Sequence, residues 1–384
     1  MRTTIKTKFE ELFGLPGSLY ASPGRVNLIG EHTDYNLGFV LPGAIDKAIY
    51  MEIRANGSGE CRLFSVDYNE SAGFGVDSGG KPKQQWASYI FGVVKEMQKQ
   101  KQGAVVGGFD CVFGGDVPLG AGLSSSAALE SVAGFAINDI FGLGFDRLEL
   151  AKIGQMTEHN YIGVRCGIMD QFASLFGEKG KLIQLDCRSL EYKLVPFEPV
   201  GYRVLLLDTQ VKHSLASSEY NVRREQCEAG VAVVAKHVPG VESLRDVTPD
   251  MLETYKREME EVVYRRCHYI VTENQRLLDA CAALECGDYE TFGRNMFGSH
   301  EGLSKEYEVS CPELDFLAEK ARRFDGVLGA RMMGGGFGGC TINVIRDSVH
   351  DAFVDELSGS YKNAFGIAPR VIDVVISDGA HKIR

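Results

Sequence analysis

Near the N-terminus, three side chains that could bind a small polyhydroxylated molecule follow a short apolar stretch. The segment spans residues 23–35 (PGRVNLIGEHTDY), and the three side chains are Glu31, His32 and Asp34. A carboxylate can accept hydrogen bonds from two adjacent sugar hydroxyls, and a histidine can donate or accept one. A metal site is an alternative because all three are ligand types, although no H-E-x-x-H spacing completes such a site. A polar turn after a strand is the other alternative.

A second segment has the composition of an anion-binding loop. Residues 118–130 (PLGAGLSSSAALE) place glycines and serines directly before a largely apolar helix that Gly142 should end. Glycine lets the backbone approach a ligand, and the N–H groups at a helix N-terminus converge on one point. The chain has no G-x-x-x-x-G-K-[ST] sequence, so this is not a P-loop of that type. The alternative is an ordinary helix after a tight turn, with the serines as its caps.

A third segment, residues 329–340 (GARMMGGGFGGC), matches G-x-G-x-x-G at positions 334, 336 and 339. We reject a dinucleotide-binding function because the strand-like sequence TINVI follows, whereas that fingerprint must open a helix. Five glycines in six residues carry a large entropic cost on folding. We therefore expect that the backbone here lies close to another part of the protein.

Strand-like and helix-like patterns alternate along the chain and must position these segments. A first helix is expected within residues 1–14. Further strands are predicted at 109–113, 182–185, 203–207 and 371–376, and helices at 125–140 and 147–158. Two prolines interrupt residues 196–201, and a mostly helical region follows from about 214 to 323. The pattern predicts an α+β or mixed α/β protein with two lobes.

Composition narrows the possible partners. The chain has 384 residues, for which two domains are the default, and a formal net charge of −11. This charge disfavours nucleic acid or an anionic membrane as a partner, but a nucleotide can still bind through local backbone donors and a cation. The ten cysteines are isolated and are expected to be reduced thiols of a cytoplasmic protein. The charged N-terminus is unlike a secretory signal.

Together the three segments resemble the motifs of the GHMP kinases, which phosphorylate small-molecule hydroxyls. The first segment, GRVNLIGEHTDYN followed by VLPGAID, resembles the galactokinase signature in particular. Further matches to galactokinases are CGIMDQFAS at 166–174, SSEYNVRREQC at 217–227 and CPELDFL at 311–317. The resemblance implies an α+β, two-lobed GHMP kinase fold, with a cleft between the lobes. Residues 1–197 would form a lobe like ribosomal protein S5 domain 2, and residues 198–384 a ferredoxin-like lobe.

The resemblance also assigns roles to individual residues. Arg25 would lie beside the transferring phosphoryl group, and Asp170 would be the catalytic carboxylate, also contacting substrate. The remaining sugar-binding positions would be Glu31, His32, Thr33, Asp34, Gly167 and Tyr220. The nucleotide phosphates would be wrapped by Gly120, Ala121, Gly122, Leu123, Ser124, Ser125 and Ser126. Ser126 and Glu158 would bind Mg²⁺, directly or through water.

For three residues, Ser65, Trp86 and Asp170, more than one role is possible. Ser65, in LFSVD, sits where a nucleotide contact is expected, but the motif is short. Trp86, the only tryptophan, could line an adenine pocket or be an ordinary half-buried side chain. Asp170 precedes a short apolar pattern ended by Gly177, so it is expected in the first turn of a helix, whose dipole favours its ionised form. Whether it removes the proton or mainly orients the hydroxyl stays open.

The resemblance implies Mg²⁺-dependent transfer from ATP to D-galactose, giving galactose 1-phosphate, without a phosphoenzyme. A kinase for a related sugar such as N-acetylgalactosamine is an alternative, as is a non-catalytic sensor that binds galactose and ATP. A mevalonate-type kinase fits the first motif less well. The expected partners are the two small-molecule substrates, with no nucleic acid and no membrane, and the expected state is a cytoplasmic monomer or weak dimer.

Overall fold

The computed structural model describes residues 1–100, 106–118, 120–211 and 216–384, except for the side chains of residues 216–218. The strands are β1 (Ser18–Asn27), β2 (Phe39–Val40), β3 (Pro42–Ala55), β4 (Glu60–Ser65), β5 (Glu70–Gly75), β6 (Phe109–Gly115), β7 (Lys181–Asp186), β8 (Tyr192–Pro196), β9 (Tyr202–Asp208), β10 (Val327–Met332), β11 (Cys340–Arg346), β12 (Arg370–Val374) and β13 (His381–Lys382). The α-helices are α1 (Arg2–Phe13), α2 (Gln85–Gln100), α3 (Ser125–Phe141), α4 (Arg147–Thr157), α5 (Met169–Phe176), α6 (Ala216–Ala235), α7 (Pro249–Tyr255), α8 (Glu261–Glu285), α9 (Tyr289–Lys305), α10 (Pro312–Arg323) and α11 (His350–Phe365).

The N-terminal half is built on a six-stranded sheet in the order β13-β1-β3-β6-β4-β5. All neighbouring pairs are antiparallel except β4 and β6. Helix α1 packs on one face through Ile5 and Phe9, and α2 and α3 contribute to a large buried cluster with the sheet. Burial of this apolar surface on both faces stabilises the long strands β1 and β3.

Helix α3 begins at Ser125 and is ended by Gly142, as predicted. Gly142 ends it in the left-handed conformation, with φ of 59°. Ser124, the residue before the helix, has φ of 56° and makes no side-chain capping bond. The expectation that this serine caps the helix is therefore wrong, because its hydroxyl turns away and donates to Asp170.

The C-terminal half contains an antiparallel sheet in the order β10-β11-β9-β12. In chain order a strand, helices, two strands, a helix and a strand follow one another, which is the ferredoxin-like arrangement that the family resemblance implied. Strand β12 ends at residue 374, two residues before the predicted end. Residue Ile376 instead bridges to Ile45 of β3, so the chain has already passed to the N-terminal sheet.

The fold is α+β, as predicted, and its two halves are closely joined. The last strand, β13, pairs with β1, and a small sheet in the order β2-β7-β8 lies beside α8. One buried apolar cluster continues from the large sheet into β9 and α8. The division between residues 197 and 198 stays a prediction, although β8 and β9 do flank the proline-containing connection.

Most other elements match their predicted positions. The helical region is described from residue 216, and its predicted start at 214 lies outside the described residues. All ten cysteines are free, and eight are buried. No helix within the described ranges is both long enough and apolar enough to cross a membrane.

Candidate active site

The three predicted segments meet at a cavity of about 270 Å³. They reach it from the turn after β1, the start of α3 and the loop between β10 and β11. A fourth segment, around α5, completes the wall. The lining residues are Arg25, Glu31, His32, Asp34, Tyr89, Ser126, Glu158, Val164, Cys166, Gly167, Met169, Asp170, Gln171, Tyr220, Gly334 and Gly335.

The connection between β1 and β2, residues 28–38, is named the sugar turn below. Its backbone is unusual: Gly30, His32 and Leu37 have φ values of 85°, 65° and 57°. A Cβ atom at position 30 would lie 2.7 Å from the Phe39 carbonyl oxygen, so glycine is required there. Thr33 is fully buried and its hydroxyl lies 2.9 Å from the Gly30 carbonyl oxygen, so it holds the turn and does not line the cavity.

Asp34 projects into the cavity next to Gly167. A Cβ atom at position 167 would lie 2.0 Å from Oδ2 of Asp34, so only glycine leaves room for this carboxyl group. Burial raises the pKa of Asp34 to about 7, and the negative charge of Asp170 adds to the effect. Asp34 therefore titrates near neutral pH in the ligand-free protein.

Glu31 joins the two halves of the protein as well as lining the cavity. Its Oε2 atom accepts hydrogen bonds from Arg331 Nη2 at 2.8 Å and from the Gly334 N–H at 3.0 Å. Both bonds fall on the same oxygen, so Oε1 is the atom that can face a ligand. Arg331 is fully buried and also donates to the Leu28 carbonyl oxygen.

His32 sits in an aromatic environment that keeps it neutral. Its Nδ1 lies 2.8 Å from the Tyr35 hydroxyl, which in turn lies 2.8 Å from the Tyr307 hydroxyl. The Tyr220 ring centre lies 5.3 Å from the imidazole. Burial, helped by the Arg223 charge, lowers the pKa of His32 to about 3. Its Nε2 is buried, and the Gly335 backbone is a polar group that interacts with the imidazole.

The metal-site alternative for this turn finds no support. Within the described ranges, no three His, Cys, Asp or Glu side chains are grouped so that they could hold a metal ion. Glu31 accepts a hydrogen bond from Arg331, and His32 shares one with Tyr35, so both side chains already have partners.

Asp170 and Arg25 form a bidentate ion pair at the floor of the cavity. Nε and Nη2 of Arg25 each lie 2.8 Å from one carboxylate oxygen of Asp170, and Nη1 donates to the Gly122 carbonyl oxygen at 2.6 Å. The Ser124 hydroxyl donates to Asp170 as well. Asp170 lies in the first turn of α5, as predicted. A carboxylate with three such donors is held in a fixed orientation.

Ser126 and Glu158 lie together on the opposite wall. The Ser126 hydroxyl hydrogen-bonds the Glu158 carboxyl group, while burial raises the pKa of Glu158 to about 7. Behind them Glu130 is almost fully buried, accepts from Gln171 Nε2 at 3.0 Å and has its pKa raised by burial and by the Glu158 charge. This wall thus offers hydroxyl and carboxyl oxygens, the atom type that hard metal cations prefer as ligands.

A second cavity, also of about 270 Å³, adjoins the first. The two share Tyr89 and Ser126, and the second is further lined by Trp86, Phe113 and Ser125. Trp86 is mostly buried, with its Nε1 3.0 Å from Glu70 Oε2, and it presents an aromatic wall. Ser65 does not line this cavity, because it is fully buried and its hydroxyl accepts from the Tyr68 N–H at 3.4 Å.

The predicted phosphate loop passes between the cavities and rests on the third glycine segment. Gly120 and Gly122 have φ values of 76° and 75°, and the side chains of Ala121 and Leu123 are buried. Of residues 120–126, Ser125 and Ser126 line these two cavities, and Gly120 and Gly122 could contact a ligand only through their backbone. The expected close backbone approach of the third segment is confirmed. A Cβ at Gly334 would lie 3.4 Å from the Gly122 carbonyl oxygen, and one at Gly336 2.0 Å from the Val309 carbonyl oxygen.

Comparison with known proteins agrees with this geometry. The family profile described as "Galactokinase galactose-binding signature" matches residues 7–55, and those for the N- and C-terminal domains of GHMP kinases match residues 88–178 and 277–363. A galactokinase of Thermotoga neapolitana is 42% identical over 94% of this chain and 99% of its own length. A galactokinase of Roseiflexus sp. is 38% identical over 99% of this chain and 96% of its own length.

The chain belongs to the galactokinase family. A crystal structure of Lactococcus lactis galactokinase in complex with galactose superposes with a TM-score of 0.96, at 35% identity and with full coverage of both chains. The Methanococcus jannaschii mevalonate kinase gives a TM-score of 0.65 at 20% identity, covering 94% of this chain and 99% of its own, and shows the shared GHMP kinase fold.

Several residues of this galactokinase-family site were not found from the sequence. Arg331 stands within the third glycine segment, but nothing in the sequence says that an arginine there is buried against Glu31. Tyr35 and Tyr307 are far apart in the chain, so their contact is a product of the fold. Glu130 follows the serine loop at a spacing of four residues from Ser126, and this helical spacing is a signal that could have placed it on the same face.

Proposed function

We propose that this protein transfers the γ-phosphoryl group of ATP to the anomeric hydroxyl of D-galactose by direct in-line displacement, giving galactose 1-phosphate and ADP. The observation that carries the proposal is the Arg25–Asp170 ion pair, which lies in the same cavity as the sugar turn. Family membership and the galactose complex of the Lactococcus lactis relative support the same substrate.

Sugar recognition would rest on acceptors that converge from the sugar turn. Glu31, His32 and Asp34 all line the cavity, and Tyr220 supplies a ring wall. Charge-assisted hydrogen bonds from sugar hydroxyls to the two carboxylates would fix the orientation of the sugar. Gly167 contributes by leaving space for Asp34.

Asp170 would orient the attacking hydroxyl and receive its proton. Arg25 and Ser124 donate hydrogen bonds to both oxygens of this carboxylate, which prevents it from rotating away. Phosphoryl transfer proceeds through a loose transition state, in which positioning and charge neutralisation matter more than early proton removal. Arg25 would also neutralise charge that develops on the transferring group.

The chemistry of the Ser126 and Glu158 wall fits a magnesium ion. Mg²⁺ binds one or two protein oxygen ligands together with substrate phosphates, and a hydroxyl hydrogen-bonded to a carboxyl group offers such a pair. Burial raises the pKa of Glu158 and of Glu130, so a cation bound at this wall would favour their ionised forms. When bound, Mg²⁺ would neutralise charge on the phosphates.

The nucleotide would span the two cavities. Its base would occupy the cavity walled by Trp86, Tyr89 and Phe113, where aromatic rings favour a planar heterocycle. Its phosphates would lie along residues 120–126, at the N-terminus of α3, where the helix dipole favours negative charge. Ser65 would contribute only by supporting β4, because its hydroxyl is engaged by Tyr68.

The alternatives differ in substrate or in turnover. A related sugar such as N-acetylgalactosamine would need extra space beside the sugar turn, and a sensor would bind both ligands without reaction. The complete set of Arg25, Ser126, Glu158 and Asp170 favours an enzyme. The cytoplasmic location and the monomer or weak dimer also stay proposals, as do the two-lobe division and the lack of a nucleic-acid partner, for which the net charge of −11 is the support.

A coupled assay of ADP release across galactose, glucose, N-acetylgalactosamine, arabinose and mevalonate tests the substrate assignment. We expect the highest kcat/KM for galactose and a requirement for Mg²⁺. A higher kcat/KM for N-acetylgalactosamine would replace galactose as the substrate. Turnover that persists in excess chelator would contradict the magnesium assignment.

A further inference from the structure

The sugar turn is held from behind by a helix of the C-terminal half that does not line the sugar cavity. Glu273, in the middle of α8, is fully buried. Its Oε1 accepts from the Gly30 N–H at 3.0 Å and from the Ser299 hydroxyl at 2.6 Å, and Arg276 pairs with its other oxygen. A buried carboxylate of α8 therefore binds a backbone N–H group of the turn.

Two neighbours on α8 make equivalent contacts. The Tyr269 hydroxyl donates to the Glu31 carbonyl oxygen at 3.0 Å, and Oδ1 of Asn274 accepts from the Phe39 N–H at 2.9 Å. Tyr269 and Glu273 are four residues apart and share one face of the helix, and Asn274 reaches the same segment from beside that face. They hold two adjacent residues near the start of the turn and the first residue after its end. We call these three residues the α8 clasp.

The turn needs such support because its conformation is intrinsically unfavourable. His32 and Leu37 are in the left-handed region, which side chains with a Cβ rarely adopt. Residues in such conformations persist when the surrounding structure over-determines them, and they concentrate at ligand sites. Close packing adds to the constraint: a Cβ at Gly30 would lie 2.4 Å from Leu277 on the same helix.

We propose that Tyr269, Glu273 and Asn274 are positioning residues that set the affinity for the sugar, by holding the sugar turn in its binding conformation before the sugar arrives. This rests on the proposed function, since it assumes that the turn binds galactose. A preorganised site loses less conformational entropy on binding than a mobile one. Without the clasp, Glu31 and Asp34 would have to be ordered by the sugar itself. ATP would bind along residues 120–126 and beside Trp86, away from the sugar turn, so its affinity should not change.

The test uses two near-isosteric substitutions and a control on the same helix. Tyr269→Phe removes only the hydroxyl that reaches the turn. Glu273→Gln replaces one carboxylate oxygen by an NH₂ group, which cannot accept the hydrogen bonds that Glu273 now accepts. Thr272→Val is the matched control, because its hydroxyl donates to the His268 carbonyl oxygen within α8 and does not contact the turn. We expect Tyr269→Phe, which loses a bond between two neutral groups, to raise the KM for galactose by roughly 2–10-fold. Glu273→Gln, which replaces a charged acceptor by a neutral one, should raise it by about tenfold, and neither variant should change the KM for ATP. Thr272→Val should leave both constants unchanged.

The outcomes separate this proposal from the proposed function. An unchanged galactose KM in folded Tyr269→Phe and Glu273→Gln, or equal rises for galactose and ATP, overturns the clasp. If Glu273→Gln does not fold, Tyr269→Phe decides alone. If the unmodified protein does not phosphorylate galactose, the proposed function fails, and calorimetric galactose affinity of the same variants decides the clasp. Failure of the unmodified protein to bind galactose overturns both.

Discussion

Replacing Gly167 by alanine should weaken galactose binding selectively. The added Cβ would lie 2.0 Å from Oδ2 and 2.2 Å from Cγ of Asp34, whereas ordinary contacts begin at 3.4 Å. The carboxyl group must therefore retreat by about 1.4 Å. Gly167 is not among the positive-φ glycines, so alanine meets no backbone strain there and the steric conflict is the whole perturbation.

The size of the effect follows from the lost contacts. A displacement of this size exceeds the tolerance of an O–H···O bond. Losing one hydrogen bond to a charged acceptor costs about 1.5–3 kcal/mol, which corresponds to roughly 10–100-fold in affinity. Arg25, Ser126 and Trp86 are untouched, so the affinity for nucleotide should not change.

Calorimetry with galactose and with a non-hydrolysable ATP analogue would measure both affinities. Gly134→Ala on α3 is the matched control, since its Cβ would meet Leu150 at an ordinary 3.5 Å, and alanine is favoured over glycine inside a helix. An unchanged galactose affinity in folded Gly167→Ala would refute the assignment of Asp34 to the sugar. Equal losses for both ligands would indicate a general distortion instead.

Five further predictions concern individual residues of the site. Asp170→Asn should fold normally and lower kcat by about 10²–10⁴-fold; a rate above a few per cent of wild type would contradict its role. Because burial raises the pKa of Asp34 to about 7, the KM for galactose should fall as pH rises from 6 to 8, and Asp34→Asn should abolish the pH dependence. The folded protein binds this proton more tightly than the unfolded chain does, so the ligand-free Tm should fall as pH rises from about 4 to 7, with a smaller slope in Asp34→Asn by calorimetry. Trp86→Ala should raise the KM for ATP about tenfold or more, because an aromatic stacking surface is lost, and should leave the galactose KM unchanged. Gly122→Val should abolish nucleotide binding, because the φ of 75° at Gly122 disfavours a branched side chain.

The sequence was informative where function depends on local pattern. Asp170 in the first turn of α5, the strand after the third glycine segment and the end of α3 at Gly142 all follow from residue type and spacing over a few positions. Such features are set by short-range sterics and hydrogen bonding, which one sequence contains in full.

It was less informative where a side chain has more than one possible partner. Ser124 resembles a helix cap, but its left-handed backbone directs the hydroxyl to Asp170. Thr33 stands between predicted sugar ligands, yet its hydroxyl is used inside the turn. In both cases the competing partner lies within hydrogen-bond distance only once the chain has folded.

Long-range support of the site could not be predicted from spacing. Arg331 reaches Glu31 across 300 positions, and Glu273 reaches Gly30 across 243. These pairs exist because α8 and β10 pack behind the sugar turn, and no local propensity specifies that packing.

The claim that this protein phosphorylates galactose is tested most directly by following the reaction itself. The unmodified protein should be given galactose, ATP and Mg²⁺ while phosphorus NMR follows the products. The account predicts ADP and an anomeric sugar phosphate in equal amounts, at about 1 s⁻¹ or faster, the lower end for typical enzymes. Binding of both ligands without formation of a sugar phosphate would contradict it and identify a sensor instead.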